Sequence, residues 1–164
     1  MTDLGRRGVV SLGAAVVLAA CTSTTKGAGG GGEVRTDVKP LERRFPAFGP
    51  LSRAHWLGTA LGTDSRGSVP GPTDVRVVGT ARLRAGAVAA LTAARHRSFQ
   101  PGTPSRVPGE LVEFVPAGAR WVRCDAFDRD MTGGRYSGAF LLDPGTDTVY
   151  FDAINPRVSA GSGP

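Results

Sequence analysis

The clearest periodicity in the chain runs over Asp74 to Leu83, DVRVVGTARL, where Val75, Val77, Gly79, Ala81 and Leu83 alternate with Arg76, Val78, Thr80 and Arg82. Successive strand side chains point to opposite faces, so this pattern predicts a half-buried β-strand. It leads into RAGAVAALTAARHR, residues 84–97, where Ala87, Val88, Leu91 and Ala94 recur at helical spacing and predict a helix with a narrow apolar stripe. Arg95, His96 and Arg97 would close its last turn, where positive charge meets the negative end of the helix dipole. That position makes His96 a surface residue rather than a ligand.

The C-terminal third reads as a meander. Arg120 to Phe127 (RWVRCDAF), Arg135 to Leu142 (RYSGAFLL) and Thr148 to Ile154 (TVYFDAI) are rich in aromatic and branched residues and are separated by turn residues. Asp143-Pro144-Gly145-Thr146 suits a type II turn, with Gly145 supplying the positive φ. Trp56 to Leu61 is a further candidate strand, and Gly109 to Val115 fits a short helix or an edge strand equally well. Together these elements predict an α+β fold: one small domain, a mostly antiparallel sheet and one main helix covering one face.

Alternation also assigns faces. With Val122, Cys124 and Ala126 inward, Trp121, Arg123, Asp125 and Phe127 turn outward; with Val149, Phe151 and Ala153 inward, Tyr150 and Asp152 turn outward. Adding Arg76 and Arg82 yields an open sheet face of aromatics, arginines and carboxylates, a candidate surface for a wall glycan, a peptide or an envelope protein. The competing expectation is a solvated face whose charges pair across strands and whose aromatics lie under loops or the preceding chain.

Before the domain the pattern changes. Arg6 and Arg7 precede an uncharged run from Gly8 to Ala20, the anatomy of an export signal. A helix of that run would rise about 20 Å, short of a hydrocarbon core of about 30 Å. The run ends in Leu18-Ala19-Ala20-Cys21, which resembles the lipobox of bacterial lipoproteins. That resemblance implies cleavage after residue 20, a diacylglyceryl group on Cys21 and a lipid-anchored protein on the extracytoplasmic face of the cell membrane. Arg6-Arg7-Gly8-Val9-Val10 further resembles the twin-arginine pattern, which implies export in the folded state. Gly5 replaces the usual polar residue before the arginines and no lysine follows the apolar pair, so export of the unfolded chain stays open as the alternative.

The expected organisation is therefore a signal over 1–20, a lipidated Cys21 and Gly/Thr/Pro-rich tether over 21–50, a globular domain over 51–157 and a disordered tail over 158–164. A flexible tether of about 29 residues reaches about 30 Å. Removing residues 1–20 lowers the formal charge from +6 to +5, and eighteen of the twenty basic residues are Arg. No nucleic-acid-binding motif accompanies that charge, and an exported domain meets anionic lipids and wall polymers instead of nucleic acid. With Cys21 acylated, Cys124 has no intramolecular partner and is expected as a buried thiol.

Candidate chemistry is sparse. Asp128-Arg129-Asp130-Met131-Thr132-Gly133 resembles the start of an EF-hand calcium loop, but Ala139 stands where the bidentate Glu belongs, so a hairpin loop is the preferred expectation. No phosphate loop, zinc spacing or nucleophile motif occurs, and no cofactor is expected. Two functions follow: a non-catalytic binding or interaction module of the cell envelope, or a small envelope hydrolase using the Asp125 to Asp130 cluster with His55.

Overall fold

The computed structural model describes residues 32–61 and 74–157; the signal, Cys21 and the tail expected from the sequence lie outside these residues. The domain is α+β, built on a six-stranded antiparallel sheet in the order β1-β2-β6-β5-β4-β3. The strands are β1 Ser52–Leu61, β2 Asp74–Arg82, β3 Gln100–Pro101, β4 Val122–Arg123, β5 Ser137–Asp143 and β6 Thr148–Ile154. Every pairing is antiparallel. Period two predicts β2; β5 and β6 fall on the segments expected from their aromatic and branched content, and β1 begins four residues before the candidate strand Trp56 to Leu61.

Three short helices, not one, cover the first sheet face: α1 Lys39–Arg44, α2 Ala87–Thr92 and α3 Asp125–Thr132. Against them the sheet presents Trp56, Val77, Phe140, Leu142, Val149, Phe151 and Ala153. The expected tether over 21–50 is corrected here, because Leu41, Phe45 and Phe48 are buried in this core. Leu41, Phe45 and Phe48 sit on one side of α1 and the 3-10 turn Pro46–Phe48 that follows it. The Phe45 ring packs 5.5 Å from Phe140 and 5.4 Å from Phe151, and burying such a ring contributes roughly 2–3 kcal/mol. Arg35 also pairs with Trp56 through two backbone hydrogen bonds of 2.8 and 2.9 Å, while the Trp56 indole donates to Asp37 O. Ordered structure thus begins well before residue 51.

The strand expected over 120–127 lasts only two residues. After Arg123 the chain leaves the sheet for α3, with Asp125 and Asp128 in its first turn and Gly133 at φ 57° closing it. Phe127, expected outward, is buried with the first-face core, and Cys124, a free thiol, is buried beside it. The helix expected to residue 97 ends at Thr92, and His96 is exposed beyond it. At the β5–β6 connection the left-handed residue is Asp147 (φ 51°), not Gly145, so the expected type II turn does not form. Asp147 instead accepts hydrogen bonds from Gly86 N and Val88 N, capping α2 from a distant part of the chain.

The second face is covered as well. Leu57, Val78, Leu141, Tyr150 and Trp121 pack under Leu111, Phe114, Val115 and Ala119. The segment of unresolved preference, 109–115, is a 3-10 helix over Gly109–Phe114, and it forms part of this lid.

Candidate functional site

The open face expected from alternation does not exist. Trp121 is 7% and Tyr150 1% exposed, with their rings edge to face at 6.5 Å beneath the 107–119 segment. Arg76 and Asp152 form a half-buried bidentate pair at 2.8 and 2.7 Å, and the same guanidinium donates to Arg106 O, clamping the covering segment to the sheet. That hydrogen bond to Asp152 raises the Arg76 pKa, while burial and then Asp152 push the Tyr150 phenol up to about 12. All four are engaged within the fold, two by ion pairing and two by packing. The competing expectation of paired charges and covered aromatics holds for Arg76 and Asp152 and for Trp121 and Tyr150, and not for Arg82, which has no acidic partner among the described residues. Arg123 is exposed and bonded to Asp125 at 2.6 Å.

The Asp125 to Asp130 cluster splits along α3: Arg123 lies between Asp125 and Asp128, at 2.6 and 3.7 Å, while Asp130 turns to Arg97. Asp125 faces Arg123, the buried Asp128 accepts from Phe140 N at 2.9 Å, and Asp130 accepts from Arg97, whose guanidinium lies over Phe127. The candidate calcium positions Asp128 and Asp130 are therefore helical, not a hairpin loop, and each carboxylate is committed elsewhere. Among the described residues no three His, Cys, Asp or Glu side chains gather around a point that could hold a metal ion. His55 stacks on Phe114 at 3.9 Å on the second face, whereas α3 packs on the first, so the sheet separates the two halves of the expected hydrolase site.

What the fold does assemble is a cavity of about 290 Å³ at the end of the sheet, lined by Arg53, His55, Thr80, Arg82, Phe114 and the Thr146 and Thr148 hydroxyls. Four separate segments build it. Between Ser52 and His55 strand β1 carries a bulge: Ser52 pairs with Arg82 and His55 with Thr80, so Arg53 and Ala54 together face Ala81. Arg53 takes φ 46° there, the left-handed region. Thr80 donates to Phe114 O, holding the 3-10 helix over β2, and Thr146 bonds both Asp143 and Thr148.

The electrostatics of this end are one-sided. Among the described residues neither Arg53 nor Arg82 has an acidic partner, and the carboxylates of the β5–β6 turn are committed elsewhere: Asp143 accepts from Arg120 N, Gly145 N and the Thr146 hydroxyl, Asp147 from the α2 N-terminus. His55 Nδ1 is buried without a hydrogen-bond partner among the described residues. Of the cavity's residues Arg82 and His55 stood among the sequence candidates, in different roles; the rest have no local signature, because a bulge, a turn and a 3-10 helix bring them together. No protein-family model, no curated protein and no solved structure matches this chain.

Proposed function

We propose that the protein is a membrane-anchored extracytoplasmic lipoprotein of the cell envelope whose domain is a non-catalytic binding module, with the cavity at the Arg53 end of the sheet as its ligand site. The anchor half rests on the signal and on Leu18-Ala19-Ala20-Cys21. The binding half rests on one observation: among the described residues, two arginines without acidic partners and a histidine line a cavity that contains no acid. Its hydroxyls are occupied, Thr80 with Phe114 O, Thr146 with the Asp143 carboxylate and Thr148 with Thr146, and His55 Nδ1 contacts none of them as a base would contact a nucleophile. Such a lining holds charge and does not transfer groups.

The tether is shorter than composition suggests. With docking in place from Arg35, residues 22–34 separate Cys21 from the domain. Membrane fractionation with labelled fatty acid tests the anchor: wild type is expected in the membrane and labelled, Cys21→Ala soluble and unlabelled. Equal distribution of the two without label in either removes the localisation.

A further inference from the structure

The bulge that builds the cavity also puts an arginine where the backbone disfavours one. Arg53 sits at φ 46°, in the conformation that glycine adopts without steric cost and that a residue with a Cβ adopts under strain. Bulges of this kind re-aim a side chain, and here the re-aimed side chain lines the cavity together with Arg82. Both guanidiniums lack an acidic partner among the described residues; in the adjoining turn Asp143 is held by Arg120 N, Gly145 N and the Thr146 hydroxyl, and Asp147 by Gly86 N and Val88 N. The site is cationic by construction, and its charge is not neutralised from within.

We infer that the cavity takes a small organic carboxylate, the charged end held between Arg53 and Arg82 and the organic body against the stacked His55 and Phe114 rings. The inference rests on the binding-module reading and names its ligand class. Guanidinium forks match the planar oxygens of a carboxylate. The volume sets the size: about 290 Å³ lies at the bottom of the range for small-molecule sites, about 300 to 1,000 Å³. One carboxylate with a short body fits. A polymer enters only by its end.

The test is calorimetric titration of the full chain in nonionic detergent with four probes: benzoate, N-acetyl-dialanine with a free carboxylate, the amide of that peptide, and inorganic phosphate. Binding of either acid at least tenfold tighter than the amide and the phosphate supports the inference, benzoate identifying a free small acid and the peptide a chain end. Phosphate binding as tightly as the better acid, or the amide equalling its acid, overturns it, as does silence towards all four. Arg53→Gln and Arg82→Gln are each expected to weaken acid binding at least tenfold. Arg53→Gly is expected to weaken it as much while raising the melting temperature, because glycine relieves the backbone; unchanged binding in the Arg53 and Arg82 variants places the ligand elsewhere and overturns the inference while leaving a binding module. Fractionation of the same protein reports the anchor independently.

Discussion

The Asp128 carboxylate accepts a hydrogen bond of 2.9 Å from the backbone N–H of Phe140, twelve residues later. Strand β4 ends at Arg123, opposite Leu141, so the next outward-facing N–H of β5 has no strand to meet. Helix α3 supplies the acceptor instead, from a buried side chain. Asp128→Ala is expected to orphan that N–H and cost about 1–3 kcal/mol, whereas Asp128→Asn keeps an acceptor and costs much less. Chemical denaturation of both variants checks the difference.

Burial raises the Asp128 pKa above its ordinary 3.8, outweighing the Phe140 hydrogen bond and Arg123, which lower it. The folded chain therefore holds this proton more tightly than the unfolded chain, and stability falls as pH rises from about 3.8 through the raised value. Relative to Asp128→Asn, the wild type is expected to gain stability as pH drops through that window. Denaturation curves of the pair at several acidic pH values measure it; a wild type that loses ground to the variant as pH falls contradicts the assignment.

Gly79 on β2 lies beneath Trp56 of the neighbouring strand. A Cβ there would overlap the His55 carbonyl oxygen and lie 2.6 Å from Trp56 Cα. Both obstacles are backbone, so Gly79→Ala is expected to cost at least about 3 kcal/mol, read as a fall in melting temperature of more than about 10 °C.

Asp147 joins the β5–β6 turn to α2 through Gly86 N and Val88 N at 3.0 and 3.1 Å. Its φ of 51° suits glycine, yet Asp147→Gly is expected to destabilise by about 1 kcal/mol, because the lost cap outweighs the relieved backbone. A stabilised variant would show that the cap contributes little.

How far the sequence reveals this fold depends on where each burial partner comes from. Strands β2, β5 and β6 are legible because alternation is local, and Val149, Phe151 and Ala153 face the core as their spacing implies. Tyr150 and Trp121 look solvent-facing by the same rule, since their cover comes from the irregular 107–119 segment, which has no period of its own. Helix α3 hides behind a false alternation of Val122, Cys124 and Ala126, although Phe127 and Met131, one turn apart, and Gly133 carry its helical signal. In the same way Leu41, Phe45 and Phe48 show helical spacing within a stretch whose Gly and Pro content reads as tether. The cavity is least legible: its residues come from four segments, and the decisive φ of Arg53 follows from strand register.

A chain begun at residue 51 is accordingly expected to fail where one begun at residue 32 folds. Without α1 and the turn after it, Phe127, Phe140 and Phe151 lose their cover from Phe45 and Phe48. Near-ultraviolet circular dichroism and dye binding distinguish the two: the shorter chain should show lost tertiary signal and exposed apolar surface.

The central claim is that this domain binds its ligand at the Arg53 end of the sheet, and amide chemical-shift mapping of the isotope-labelled full chain in detergent, titrated with benzoate, tests it most directly. Shifts are expected to concentrate on Arg53 to His55, Thr80 to Arg82, Phe114 and Thr146 to Thr148, the segments that line the cavity. Shifts centred instead on the β4–α3 region around Arg123 and Asp125, or a spectrum unchanged at saturating benzoate, would contradict it.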